Sequence, residues 1–139
     1  MKIVIVEDEE FAARRLENMI IQYDPTISIV AKLESVSESV EWFRNNDCPD
    51  LILLDIHLED NLSFAIFESV EIKCPVVFTT ATDELSTRAF QLKKIDYLLK
   101  PIIQENLNKM IEKYRNFPIT QRETISASLF TDIINKHLK

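Results

Sequence analysis

Glycine is absent from all 139 residues of this chain, and its absence removes a set of chemistries at once. The loops that cradle phosphate in dinucleotide and nucleoside-triphosphate sites, G-x-G-x-x-G and G-x-x-x-x-G-K-[ST], use glycine for tight turns and close backbone approach. Neither loop can be built here. Turns that need a positive φ must use asparagine or aspartate, which tolerate the left-handed region best after glycine. Asn45, Asn46 and Asn61 are the expected positions.

Three further scarcities narrow the field. No apolar run approaches the ~20 residues that a membrane-crossing helix requires, and Met1-Lys2 leads straight into an apolar segment with no secretory leader pattern. A cytoplasmic protein without membrane contact is expected. Cys48 and Cys74, each before a proline, are too few for a disulfide framework or a thiolate metal site. They read as two inert, buried thiols. Positive charge is also short, with 16 Lys and Arg against 23 Asp and Glu for a net −7. Such a chain does not hold nucleic acid by its own field, which would need a basic face.

What is present is a core and a rhythm. Hydrophobic residues make up 46%, enough for one domain of ordinary size. Short apolar runs recur as IVIV (3–6), ISIVAKL (27–33), LILLD (51–55), VVFTT (76–80) and YLLK (97–100). Continuous runs of this kind mark strands covered on both faces, as in a parallel sheet. Helical patterns lie between them. Residues 9–22 carry Phe11, Ala12, Leu16, Met19 and Ile20 on one stripe, and residues 35–47 carry Val36, Val40 and Phe43. Further helical stretches fall at 63–70, 83–92 and 104–114.

Five strands alternating with five helices predict an α/β, flavodoxin-like, doubly wound five-stranded parallel sheet in the order 2-1-3-4-5. Its ligand crevice opens at the carboxyl ends of strands one and three. Residues 1–117 form this domain. Residues 118–139, with three basic and two acidic residues, read as a linker and an amphipathic helix carrying Ile125, Leu129 and Ile133.

The same topology gathers the polar residues. The chain opens KIVIVEDEE, and Glu7 and Asp8 end the first strand while Asp55 ends the third. Converging carboxylates raise one another's pKa unless a positive charge sits among them. Hard oxygen donors without a thiolate suit Mg²⁺, which keeps several waters. Glu9 and Glu10 fall instead in the first helical turn, where negative charge favours the dipole. Strand four adds Thr79 or Thr80, and strand five adds Lys100. A carboxylate nucleophile, a metal, a hydroxyl and a fixed ammonium are what aspartyl phosphorylation needs. Lys100-Pro101 is expected to be a cis peptide.

In this order, the acidic pair, the strand-ending Asp55, Thr80-Ala81 and Lys100-Pro101 resemble the receiver domain of two-component response regulators across roughly residues 1–116. The stretch AFQLKKIDYLLKP resembles the LytTR (LytR/AlgR) type, whose members join a receiver to a C-terminal β-rich DNA-binding domain. The resemblance implies a phosphoryl group accepted on Asp55 from a sensor histidine kinase, with at most slow self-phosphorylation and self-dephosphorylation. It implies Mg²⁺ held by Glu7, Asp8, Asp55 and the main-chain carbonyl of His57; with no cysteine nearby and only His137 elsewhere to make a zinc site, the His57 side chain is expected to face solvent. Thr80 becomes the switch hydroxyl, Tyr97 the switch aromatic, and Lys100 the partner of the phosphoryl oxygens. Homodimerisation on activation is implied, and DNA is reached only through a domain outside these residues.

Two departures stand out. Glu7 replaces the aspartate usual at the first acidic position, and the loop HLEDNLSF lacks the usual glycine, so Asn61 is expected to take the left-handed position. Two other readings stay open. One is an aspartyl-phosphate phosphatase with His57 as acid and base. The other is a docking or dimerisation module that works without phosphorylation.

Overall fold

The computed structural model describes residues 1–81 and 95–116. The elements run β1 (Lys2–Val6), α1 (Glu10–Tyr23), β2 (Ser28–Leu33), α2 (Val36–Asn45), β3 (Leu51–Asp55), α3 (Ala65–Ser69), β4 (Val76–Thr80), β5 (Tyr97–Leu99) and α4 (Gln104–Arg115). The five strands form one sheet ordered β2-β1-β3-β4-β5, and every adjacent pair is parallel. The expected α/β topology is therefore the observed one.

Side chains alternate across the pleat, so each buried strand feeds two cores. Val4, Val6, Ile52, Leu54, Val76 and Phe78 face a core completed by α2 and α3 through Val40, Ile66 and Phe67. Ile3, Ile5, Leu51, Leu53 and Val77 face the other core, against Ala13, Leu16 and Ile20 of α1 and Leu107 and Ile111 of α4. Burial on both faces is why β1, β3 and β4 read as unbroken apolar runs.

The edge strands differ. Exposure alternates along β2, with only Leu33 buried, and β2 is an edge strand with a neighbour on one side only. On α1 the buried face is Ala13, Leu16, Met19 and Ile20. Phe11, expected on the apolar stripe, is 77% exposed, with the Arg14 guanidinium 6.0 Å from its ring centroid. It lies two residues before Ala13, the first residue of α1 that the core buries, and so points to the opposite side of the helix.

The turn assignments also change. Asn45 is the last helical residue of α2, and Asn46 has φ −135°, which is extended backbone. Neither adopts a left-handed conformation, since each side-chain amide donates to a carbonyl one turn back, Glu41 and Trp42 respectively. Asn61 closes a turn in which its carbonyl accepts from Leu58 N–H at 3.0 Å.

Cys48 and Cys74 are joined in a disulfide with Cα atoms 5.5 Å apart. The expectation of two inert buried thiols is wrong on both counts, because Cys48 is exposed. Each cysteine precedes one of two adjacent strands, β3 and β4, and strand adjacency brings together residues 26 apart in sequence. The helix expected at 83–92 and the extension at 118–139 lie outside the described residues.

Candidate functional site

In a parallel sheet all carboxyl ends share one edge, and that edge assembles the site. The ladder fixes its register. Val6 pairs with Leu54, Asp55 with Thr79, and Thr80 with Leu99. Glu7 extends β1 by donating its N–H to Leu33 O at 2.9 Å, and Lys100 extends β5 by donating to Thr80 O at 2.8 Å. Residues from four strands thus meet at one end.

The four consecutive acids of the opening segment do different things. Glu7 is only 5% exposed, Asp8 lies open to solvent, Glu9 is the N-cap residue of α1, and Glu10 pairs with Arg14 at 3.0 Å. Glu7, Asp8 and Asp55 each offer a carboxylate oxygen, and these oxygens lie within 4.8 Å of one another. Lys100 Nζ binds two of the three acids, donating to Glu7 Oε1 at 2.7 Å and to Asp55 Oδ2 at 3.0 Å.

One ammonium does not balance this cluster. Burial, and then the neighbouring Asp55 carboxyl, push Glu7 up to about 8, although the Lys100 ammonium pulls the other way. Burial alone would lower Lys100, but the Glu7 hydrogen bond and the Asp55 charge hold it above its ordinary value. Glu7 Oε2 is buried without a hydrogen-bond partner. An orphaned oxygen among three hard donors, with Asp8 open to water, fits a small divalent cation that retains part of its hydration.

The other expected site residues take defined places. Asp55 is 8% exposed and accepts from His57 N–H at 3.4 Å, and the His57 side chain is exposed. Thr80 is buried at the end of β4 and its hydroxyl donates to the Ala81 carbonyl at 3.1 Å. Tyr97 begins β5, half-buried against the α2 and α3 core. The Lys100–Pro101 peptide is cis.

Two residues that frame the site carry no signal in the sequence. Arg15, which reads as a polar flank of α1, donates to Ile102 O at 2.9 Å and so fastens the turn after Lys100 to that helix. With Glu7, Thr79, Lys100 and Pro101 it lines a cavity of about 140 Å³. Asp60 reaches from the loop after β3 to the start of α2, where it accepts from Val36 N–H at 2.8 Å and Ser37 N–H at 3.2 Å. That bond ties the loop beside Asp55 to α2.

The Response regulator receiver domain family matches residues 3–112. A sensory transduction protein LytT of Enterococcus faecalis is 39% identical over 116 residues, covering 81% of this chain and 47% of the relative. The positive alginate biosynthesis regulatory protein of Pseudomonas aeruginosa is 33% identical over 117 residues, covering 81% and 46%. The chain thus spans about half the length of these curated relatives. The crystal structure of the response regulatory domain of Klebsiella pneumoniae mrkE superposes with a TM-score of 0.68 at 29% identity, covering 83% of this chain and 95% of that one.

Proposed function

The chain belongs to the response regulator receiver domain family, and on that premise we propose that it accepts a phosphoryl group on Asp55 from a sensor histidine kinase and passes the change to an effector. The observation that carries this reading is the placement of Lys100 Nζ within 3.0 Å of both Asp55 and Glu7, with Asp8 open beside them.

In the transfer, an Asp55 carboxylate oxygen attacks phosphorus. The bond from phosphorus to the imidazole nitrogen of the donor breaks, and that nitrogen keeps the electron pair. Lys100, already held at Asp55, moves onto a phosphoryl oxygen and remains paired through Glu7. Positioning and charge neutralisation supply most of the catalysis in such transfers. Glu7, Asp8, Asp55 and the His57 carbonyl would hold Mg²⁺, and that ion would supply positive charge against the acids and the incoming phosphoryl group.

Thr80 is the proposed sensor of the product. Its hydroxyl, now given to Ala81 O, exchanges that bond for a charge-assisted one to the phosphoryl group. The backbone after β4 follows it, and Tyr97 on the adjacent strand turns inward. Leu99 and Ile103 are exposed near Lys100, so this edge is also the proposed place where phosphorylation alters self-association. The relatives' greater length supports an effector beyond these residues, a C-terminal DNA-binding domain acting on transcription.

Intact mass after incubation with acetyl phosphate tests the proposal. A Mg²⁺-dependent single adduct, lost in Asp55→Asn, is the expected result. No adduct would favour a docking module, and steady phosphate release without an adduct would favour a phosphatase.

A further inference from the structure

The Cys48–Cys74 pair lies apart from the phosphoryl chemistry. It precedes β3 and β4, whereas Asp55 and Thr80 end those strands. Around it the backbone is held by other bonds. Ile52 N–H donates to Pro75 O at 2.9 Å, Asp50 N–H donates to Lys2 O at 2.8 Å, and Ile52 pairs with Val76 in the ladder. Arg44 at the end of α2 donates to Ser69 O of α3 at 3.0 Å. The Cα separation of 5.5 Å, within the usual span for a disulfide, is thus set by sheet pairing and persists when the sulfurs are apart.

The two cysteines differ in access. Cys74 is 2% exposed within the core on the α2 and α3 face, whereas Cys48 is open to solvent. We propose that this pair is a reversible thiol–disulfide exchange site for small disulfides of the glutathione class, with Cys48 the sulfur that meets the reagent and Cys74 the one that resolves it.

The steps balance. The Cys48 thiol loses its proton, and its thiolate attacks one sulfur of glutathione disulfide. A mixed disulfide forms and one glutathione thiolate leaves. Cys74, deprotonated in turn, attacks Cys48 Sγ, closing the protein disulfide and releasing the second glutathione. Two protein thiols are oxidised and one glutathione disulfide is reduced to two glutathione thiols, which carry the two protons. In the reverse direction a thiolate reagent attacks the sulfur of Cys48, the exposed member of the pair, and Cys74 leaves.

The ring so closed runs from residue 48 to residue 74 and contains Asp55, His57 and Asp60. Oxidation therefore ties the ends of the segment that carries the phosphoryl acceptor while leaving the acceptor's edge of the sheet open.

The test equilibrates the full chain, folded, with glutathione buffers of graded ratio, then quenches with acid, unfolds and alkylates it for intact-mass analysis. The expected result is a monomer that gains two alkyl groups in reducing buffer and none in oxidising buffer, moving both ways on exchange of buffer. Cys74→Ala should accumulate one glutathione per chain. Cys48→Ser should do so at least tenfold more slowly, because its remaining thiol is buried. The proposal is overturned by two alkyl groups at every ratio, by disulfide-linked dimers alone, or by a bond that excess glutathione does not open in the folded chain. Equal glutathione uptake by the two single variants, with each shown to be folded by circular dichroism, would overturn the assigned roles.

Discussion

Lys100 lies closer to Glu7 than to Asp55, at 2.7 Å against 3.0 Å, although 93 residues separate it from Glu7 in sequence. The longer arm of glutamate at this first acidic position reaches the ammonium directly. Glu7 is therefore an anchor for the lysine as well as a candidate metal ligand. One oxygen serves each purpose, because Oε1 takes the lysine and Oε2 is left without a partner.

Removing the lysine should expose that dependence. In Lys100→Ala the buried Glu7 and Asp55 carboxyls lose the donor they share, and the loss should be about 2 kcal/mol. That is below the cost of breaking a fully buried pair, because the ammonium keeps some contact with water. Urea unfolding in chelator measures it, and millimolar Mg²⁺ should restore part of the loss. An unchanged midpoint would mean that the acids neutralise themselves by taking up a proton.

Asp60 supplies a pH-dependent term. The Val36 N–H, and with it the Ser37 N–H, holds its carboxyl below the usual range. A carboxylate with a depressed folded pKa stabilises fully above its unfolded pKa, 3.8 here, and that stabilisation disappears as pH falls through the lower folded value. Asp60→Ala should cost about 1 kcal/mol at neutral pH, as a lost helix cap does. The gap between wild type and variant should close at acid pH, as read from unfolding midpoints at pH 7 and below pH 3.

The disulfide should be visible in thermal unfolding. Closing a loop over a separation of 26 residues lowers unfolded-state entropy, worth about 3 kcal/mol in the chain-entropy account. For a domain of this size that is a Tm higher by roughly 10 °C in the oxidised form. Cys48→Ser, which cannot close the loop, should unfold at one temperature in either redox state.

Asp96 joins the strand bearing Tyr97 to α4. Its carboxylate accepts from Lys113 Nζ at 2.7 Å and from the Tyr114 hydroxyl. Burial, and then that bond, raise the Tyr114 phenol above its ordinary value. Asp96→Ala should bring the phenol back toward the ordinary range in an absorbance titration and cost about 1 to 2 kcal/mol, because a half-buried hydroxyl loses its partner. A titration curve identical to wild type would place the cause of the shift elsewhere.

Much of this arrangement was legible in the chain. Unbroken apolar runs at β1, β3 and β4 announce strands buried on both faces, and strict alternation with helices leaves few topologies. Once the order is known, residues at strand ends must meet, which places Glu7, Asp55, Thr80 and Lys100 together without coordinates. The sequence failed where a side chain's role depends on a neighbour far along the chain. Phe11 matched the apolar period yet points to the side of α1 opposite the buried Ala13, and Asn46 satisfies its amide by bonding back to the helix instead of turning left-handed.

The sequence by itself determined the sheet, its order and the set of groups at its carboxyl edge, because periodicity and strand ends are local properties that parallel topology converts into position. Only the tertiary structure decided which Glu7 oxygen Lys100 takes, that Asp60 caps α2, that Arg15 fastens the turn after Lys100, and that Cys48 meets Cys74. Each of these is a contact between segments distant in sequence, set by strand adjacency, helix packing and loop reach at a scale of a few Å, and no pattern within one segment encodes it.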